Sequence, residues 1–192
     1  MLVGEAPGQD ENRVGKPFVG KAGQELNRQI EESLLAKSDS GETLSAEDHY
    51  ITNVVKCWPC NENKNGNRTP TEAEIQACSA WLDLQFSKIH PWFVIALGSV
   101  AAGRLTGNPT LGERAGVVEW SNLYRCPILI TYHPAYILRN SRGRPDWKRH
   151  FDFVGTCMGM HTWEWHIFIN NLRKDFGGAL KIQDKSDEES AR

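Results

Sequence analysis

The sequence predicts an α/β fold with a largely parallel sheet, and three observations lead there. Short apolar runs alternate with amphipathic stretches, the order expected when strands are joined by crossover helices. Leu26, Ile30 and Leu34 follow Gly23 at i, i+4 and i+8, which places them on one helix face. Thr69-Pro70-Thr71-Glu72 reads as a capping box with proline at the first helical position, followed by Ile75, Cys78, Leu82, Phe86 and Ile89.

Taken in order, Leu2-Val3 ends a first strand, residues 50–55 form a second, 93–97 a third and 127–132 a fourth. The helix after Gly23 connects the first pair, and the helix after Thr71 leads to the third strand. Residues 160–176 read as a last, structural helix whose Trp163, Ile167 and Leu172 form a core-covering face. A length of 192 residues suits one domain, placed at residues 1–180. Residues 181–192 carry Asp184, Asp187, Glu188 and Glu189 with no apolar residue after Ile182, and are expected to form a disordered acidic tail.

Composition removes several classes of function. With 40% hydrophobic and 24% charged residues and no apolar run near the roughly 20 residues of a membrane span, no membrane role is expected. The opening Met1-Leu2-Val3-Gly4-Glu5 has neither a basic nor an apolar leader segment, so the chain is assigned to the cytoplasm. A net charge of −2 argues against coating nucleic acid through bulk charge. It leaves room for a local patch, and residues 136–150 supply one: Arg139, Arg142, Arg144, Lys148 and Arg149 face only Asp146. Five cysteines without a dense, even framework point to free thiols or a metal site.

In parallel α/β sheets the working site lies beyond the carboxyl ends of the strands. The first strand is followed by Gly4-Glu5-Ala6-Pro7-Gly8-Gln9-Asp10-Glu11 and then Gly15-Lys16-Pro17-Phe18-Val19-Gly20-Lys21-Ala22-Gly23, a loop whose backbone comes close to a ligand and which holds three acids. The second strand ends at Thr52-Asn53 and the fourth at Tyr132-His133-Pro134-Ala135-Tyr136. A carboxylate, an amide and an imidazole are thus delivered to one edge.

At these residues the sequence resembles the uracil-DNA glycosylase superfamily, most closely its family 4 and the related group known as phage DNA-polymerase-like. The resemblance runs through Gly4 to Gly8, Pro17 to Gly23, Tyr50-Ile51-Thr52-Asn53-Val54-Val55-Lys56-Cys57, Ala96-Leu97-Gly98 and Thr131 to Tyr136, covering residues 2–150. It implies a single-domain, four-stranded, mainly parallel sheet flanked by helices. It also implies hydrolysis of the N-glycosidic bond of deoxyuridine in single- or double-stranded DNA by a monomer of a bacterial, archaeal or phage-infected cell.

The residue types fit that chemistry. A base inside a duplex must be extruded before it can be cleaved. Phe18 offers a ring face for the base, while the backbone at Gly4 and Ala6 comes close to it. The Asn53 amide donates to O4 and accepts from N3–H of uracil, a pattern that cytosine reverses. Cleavage leaves negative charge on the base and positive charge on the sugar, so His133 is assigned as the donor to O2, with Glu11 and Glu5 as the carboxylates at the water and sugar. Asp10 neighbours Glu11, and a solvated loop remains the alternative for all three acids. Lys21, Arg139 and Arg142 are assigned to DNA, and Leu138 or Ile137 to a wedge between base steps. Ala135 stands where members of the family commonly have serine.

The chemistry itself requires no cofactor, but family 4 holds a [4Fe–4S] cluster on four cysteines. Cys57 and Cys78 match the later pair, and the early Cys-x-x-Cys pair is not in this chain. Cys60 adds a local Cys57-x-x-Cys60, and Cys157 is a further potential ligand, so a cluster, zinc or no metal all stay open. Residues 57–70 contain no histidine, which argues against covalent capture of the abasic sugar as in the cross-linking relatives. The unmatched cysteines and Ala135 keep a non-catalytic DNA-binding relative, acting in phage replication or with a polymerase, as an alternative. A hydrolase of free nucleosides or nucleotides is a third.

Overall fold

The computed structural model describes residues 1–34, 44–63, 66–174 and 179–182. Six strands form one sheet: β1 (Leu2–Gly4), β2 (Ile51–Asn53), β3 (Val94–Leu97), β4 (Val117–Ser121), β5 (Cys126–Thr131) and β6 (Ala179–Lys181), in the order β2-β1-β3-β5-β4-β6. The four strands expected from the sequence are β2, β1, β3 and β5, and all three pairings among them are parallel. The sheet is larger than expected because β4 runs antiparallel to β5 and β6 antiparallel to β4. The turn between β4 and β5 is short, and a short turn joins only antiparallel strands.

Among the described residues seven α-helices accompany the sheet: α1 (Gln9–Val14), α2 (Lys21–Glu31), α3 (Glu72–Ile89), α4 (Ser99–Thr106), α5 (Pro134–Arg139), α6 (Arg144–Met158) and α7 (Thr162–Lys174). Successive strand residues point to opposite faces, so each face builds its own core. Leu2, Ile95, Leu97 and Leu129 join Leu26 and Ile30 of α2 and Trp147, Phe151 and Val154 of α6 on one side. Val3, Val94, Ala96 and Ile128 join Leu82 and Phe86 of α3 and Ala101 and Leu105 of α4 on the other. Strands covered on both faces read as continuous apolar runs, which is why β3 and β5 are buried at every position.

Three element details differ from the sequence reading. The N-cap of α3 is Thr71, whose Oγ1 accepts from the Glu74 amide at 3.3 Å while Glu74 Oε2 accepts from the Thr71 amide at 2.8 Å; the box therefore lies two residues beyond Thr69. Helix α2 ends at Glu31, leaving Leu34 exposed. In α7 the inward stripe is Trp165, Phe168 and Leu172, while Trp163 and Ile167 face solvent at 62% and 51% exposure. A helix this rich in aromatic residues offers two apolar phases, and the T-shaped contact of Trp165 with Trp92 (5.3 Å) belongs to the one adopted. The acidic tail was expected from residue 181; Lys181 closes β6, the Ile182 amide donates to Gly116 O at 2.8 Å, and residues 183–192 lie outside the described residues. Among the described residues no helix is long and apolar enough to cross a membrane.

Candidate active site

The parallel strands β1, β2 and β5 end side by side with β3, and their carboxyl ends carry the candidate residues. After Gly4, the loop turns into α1 at Gly8, and Glu11 closes it. Its Oε2 accepts from the Gly8 amide at 3.0 Å and its Oε1 from the Gly20 amide at 2.7 Å, so one carboxylate ties together the two glycine-containing strings. Gly23, on the first turn of α2, lets that helix approach the loop: a Cβ there would stand 1.8 Å from the Phe18 carbonyl oxygen.

Phe18 takes a left-handed backbone with φ 54°, a conformation costly for a residue with a Cβ, and its ring is turned inward to 8% exposure. The ring lies over Gly4, where an added Cβ would be 2.4 Å from Phe18 Cζ and 2.5 Å from Asn53 Oδ1. Only glycine fits between the ring and the amide. Asn53 itself is 5% exposed at the end of β2, and its Oδ1 is buried without a hydrogen-bond partner among the described residues. Such an orphan acceptor is expensive to leave unpaired and marks a place where a ligand donor is wanted.

His133 is the N-cap of α5, with Pro134 at the first helical position. Its Nδ1 accepts from the Ala135 amide at 3.2 Å, so the proton of the neutral ring sits on Nε2. Burial pushes the imidazole down to about 4, the Arg139 charge acts in the same direction, and Glu11 opposes it. The side chain is therefore a neutral Nε2–H donor at pH 7. Its ring centroid is 6.1 Å from that of Phe18. Glu5, half-buried on the same side, has its carboxyl raised by burial.

Two cavities flank this group and share Pro7. One, of about 240 Å³, is lined by Glu11, Lys16, Thr52, Asn53 and Lys56. The other, of about 430 Å³, is lined by Glu5, Arg68, Ser99, His133, Tyr136 and Arg139. Asn53 thus lines the first of these cavities and His133 the second.

The DNA-facing candidates separate. Helix α5 turns Ile137 fully into the core and Leu138 outward at 45% exposure, so Ile137 is removed as a wedge. In the basic window, Arg144 pairs with buried Glu25 at 2.5 Å, Lys148 with Asp152 at 2.7 Å and Arg149 with Asp146. Arg139 and Arg142 are exposed and have no ion pair among the described residues, and Lys21 is exposed at the start of α2.

The cysteines do not assemble. Among the described residues no group of three or more His, Cys, Asp or Glu is placed to hold a metal ion, and the tentative set Cys57, Cys60 and Cys78 is not brought together as one. Cys57 is exposed, Cys60 is held in an antiparallel bridge with Asn67, and Cys78 Sγ accepts from the Lys56 amide at 3.4 Å. Cys157, on α6, is buried in the core, where burial pushes its thiol up to about 12. Among the described residues these cysteines supply no assembled ligand set for a [4Fe–4S] cluster or a zinc ion.

One group was missed in the sequence. Lys56 folds back under Asn53, and its Nζ donates to the Asn53 carbonyl oxygen at 2.5 Å, Thr52 Oγ1 at 3.0 Å and Gln85 Oε1 at 2.7 Å. Burial lowers this ammonium to about 8. Its position three residues after Asn53 in the third matched string was the available signal.

Comparison with known proteins accords with this arrangement. The model of the uracil DNA glycosylase superfamily matches residues 1–152. A type-4 uracil-DNA glycosylase of Saccharolobus solfataricus is 42% identical over 147 residues, covering 73% of this chain and 62% of that protein. One from Thermotoga maritima is 37% identical over 143 residues, covering 73% and 66%. One from Pyrobaculum aerophilum is 36% identical over 163 residues, covering 78% and 72%. The chain spans about two thirds of the length of these relatives. On the match of the superfamily model to most of its length, the chain belongs to the uracil DNA glycosylase superfamily.

Proposed function

We propose that the chain is a uracil-DNA glycosylase, which hydrolyses the N-glycosidic bond of deoxyuridine in DNA and releases uracil. The observation that carries the reading is the buried Asn53 Oδ1, without a hydrogen-bond partner among the described residues, standing beside the Phe18 ring over Gly4. In this reading the extruded base stacks on Phe18, a contact of about 1–3 kcal/mol in single-strand binders. Asn53 Oδ1 accepts from N3–H, and its Nδ2 donates to O4. Cytosine places a lone pair against Oδ1 and an amino group against Nδ2, so both contacts become repulsive. Sites that recognise a base edge through buried polar groups reject the mismatched partner by about 10⁴–10⁵.

Cleavage moves the bonding pair of C1′–N1 onto the base, where it is shared with O2. The His133 Nε2–H donates to O2 as that charge grows, and because the ring is neutral it remains a donor without surrendering a proton at rest. The sugar cation left behind is balanced by a carboxylate, Glu5 or Glu11. Water adds to C1′ and gives its proton to that carboxylate and then to solvent; the uracil anion is protonated after release. Glu5 lies in the His133 cavity with its carboxyl raised by burial, a shift in the direction that favours taking up a proton. Glu11 is committed to the amides of Gly8 and Gly20, which favours a role in shaping the loop.

DNA is held in this reading by Lys21, Arg139 and Arg142 on phosphates, with Leu138 as the wedge. The test is release of free uracil, together with alkali-labile breaks, from single- and double-stranded oligonucleotides that contain one deoxyuridine. Tight binding with no released base would favour the non-catalytic DNA-binding relative, the reading that Ala135 in place of serine keeps in view.

A further inference from the structure

We propose that Lys56 is the positioning residue for Asn53: its ammonium caps the open edge of β2 and holds the strand end, and with it the amide, in the setting that recognition of the uracil edge requires. The inference rests on the reading of Asn53 given above. Among the described residues strand β2 lies at the edge of the sheet, paired only with β1. In a parallel pair, alternate residues of a strand turn their backbone groups to the neighbour. The bonds from the Val54 amide to Gly4 O (2.9 Å) and from the Leu2 amide to Tyr50 O (2.8 Å) assign residues 50 and 54 to the β1 side. Residue 53 then points its carbonyl to the open side, where no strand among the described residues receives it.

Lys56 supplies the missing donor. All three protons of its Nζ are used, on Asn53 O, Thr52 Oγ1 and Gln85 Oε1, and all three acceptors are neutral. The Thr52 hydroxyl also donates to Gln85 Oε1 at 3.2 Å, which ties the strand end to α3. A half-buried lysine normally reaches a carboxylate or water. Here it is turned onto the backbone of one residue in the wall of the Asn53 cavity, the same cavity in which the Glu11 oxygens are already taken by two amides. With its donors filled, Lys56 has none to offer a phosphate. What remains is to fix Asn53 at the end of the strand.

The experiment measures single-turnover kcat and KM on a deoxyuridine oligonucleotide for the full chain and for Lys56→Met, Gln85→Leu, Asn53→Ala and the double variant Lys56→Met/Asn53→Ala. Lys56→Met is expected to lower kcat by about 10- to 100-fold, the span of a charge-assisted hydrogen bond, with KM within about twofold. Because Lys56 acts through Asn53, the double variant should be no slower than Asn53→Ala alone. Gln85→Leu keeps the charge but removes its anchor, and should give a smaller loss of kcat with KM unchanged. That variant decides the matter should Lys56→Met fail to fold. A folded Lys56→Met with the parental kcat, a Gln85→Leu with none of the loss, or losses that multiply in the double variant would overturn the inference while leaving Asn53 in place. A fully active Asn53→Ala would instead remove Asn53 from recognition, and the inference with it.

Discussion

Replacing His133 by alanine tests the chemistry most directly. The Ala135 amide occupies Nδ1, so Nε2–H is the one donor the ring has to offer, and with burial holding the imidazole near 4 that donor is present and uncharged throughout the neutral range. A donor of this kind acts on charge that appears only in the transition state, and its removal costs about 10²–10³ in rate, equivalent to roughly 2.7–4 kcal/mol. His133→Ala should therefore lose that factor in single-turnover uracil release while affinity for uracil-free DNA is unchanged. The pH profile is the second readout. A neutral donor requires no rise in activity as pH falls from 7 to 5, whereas an imidazolium donor with a value near 4 would gain about tenfold for each unit of falling pH in that range. Excision by a folded His133→Ala at the parental rate, or a rate that climbs as pH drops, would refute the assignment of a neutral Nε2–H donor to O2.

The other expectations are separable by assay. Asn53→Asp should cut uracil excision sharply and permit some cytosine excision, because a buried carboxyl favours its protonated form and can then donate to N3 of cytosine while accepting from its amino group; base-release assays on both substrates measure it. Arg139→Ala should weaken DNA binding and reduce the slope of log affinity against log salt by about 1, with the rate on bound substrate retained. Ile137→Ala should lower stability by about 2–5 kcal/mol in urea unfolding, since that side chain is fully buried, while Leu138→Ala leaves stability within about 0.5 kcal/mol and impairs excision from duplex more than from single-stranded DNA. His133 and His150 both have folded values near 4 against about 6.5 when unfolded, so the unfolded chain binds more protons between those values. Their contribution to stability is complete above pH 6.5 and is lost as pH falls towards 4, which urea midpoints at pH 7 and pH 5 should register.

The parallel half of the fold was legible because burial on both faces writes itself into β3 and β5 as unbroken apolar runs, and because Leu26 and Ile30 carry a clean helical period. The antiparallel half was not. Strand β4 mixes Val118 with half-buried Glu119 and Trp120, and Glu119 is there for its ion pair with Arg114 at 2.7 Å; neither an apolar run nor strict alternation results. Strand β6 has only three residues and depends on its pairing to Val117, Val118 and Glu119, a long-range contact with no local trace. The phase of α7 failed for the opposite reason, since too many apolar residues leave two faces equally plausible until Trp92 and Phe93 choose one.

At the site, the sequence identified which residues stand at the strand ends and missed what they do to one another. Residue type announces Asn53 and His133, but their protonation and pairing come from backbone groups that carry no identity in the sequence: the Ala135 amide that fixes the His133 tautomer, and the Gly8 and Gly20 amides that take up Glu11. Charge runs mislead in the same way. Five cations between residues 139 and 149 read as one basic patch, yet helix spacing sets Lys148 against Asp152 and Arg149 against Asp146, and the fold brings Glu25 of α2 to Arg144. The patch left for a polyanion is Arg139 and Arg142, both just past the His133 turn. Two such contacts supply modest, salt-sensitive affinity, so holding DNA at this edge must lean on the extruded base itself. Loss of Phe18 or Asn53 should consequently weaken binding to uracil-containing DNA while leaving uracil-free DNA untouched, and the ratio of those two affinities is the quantity in which this site differs from a simple basic surface.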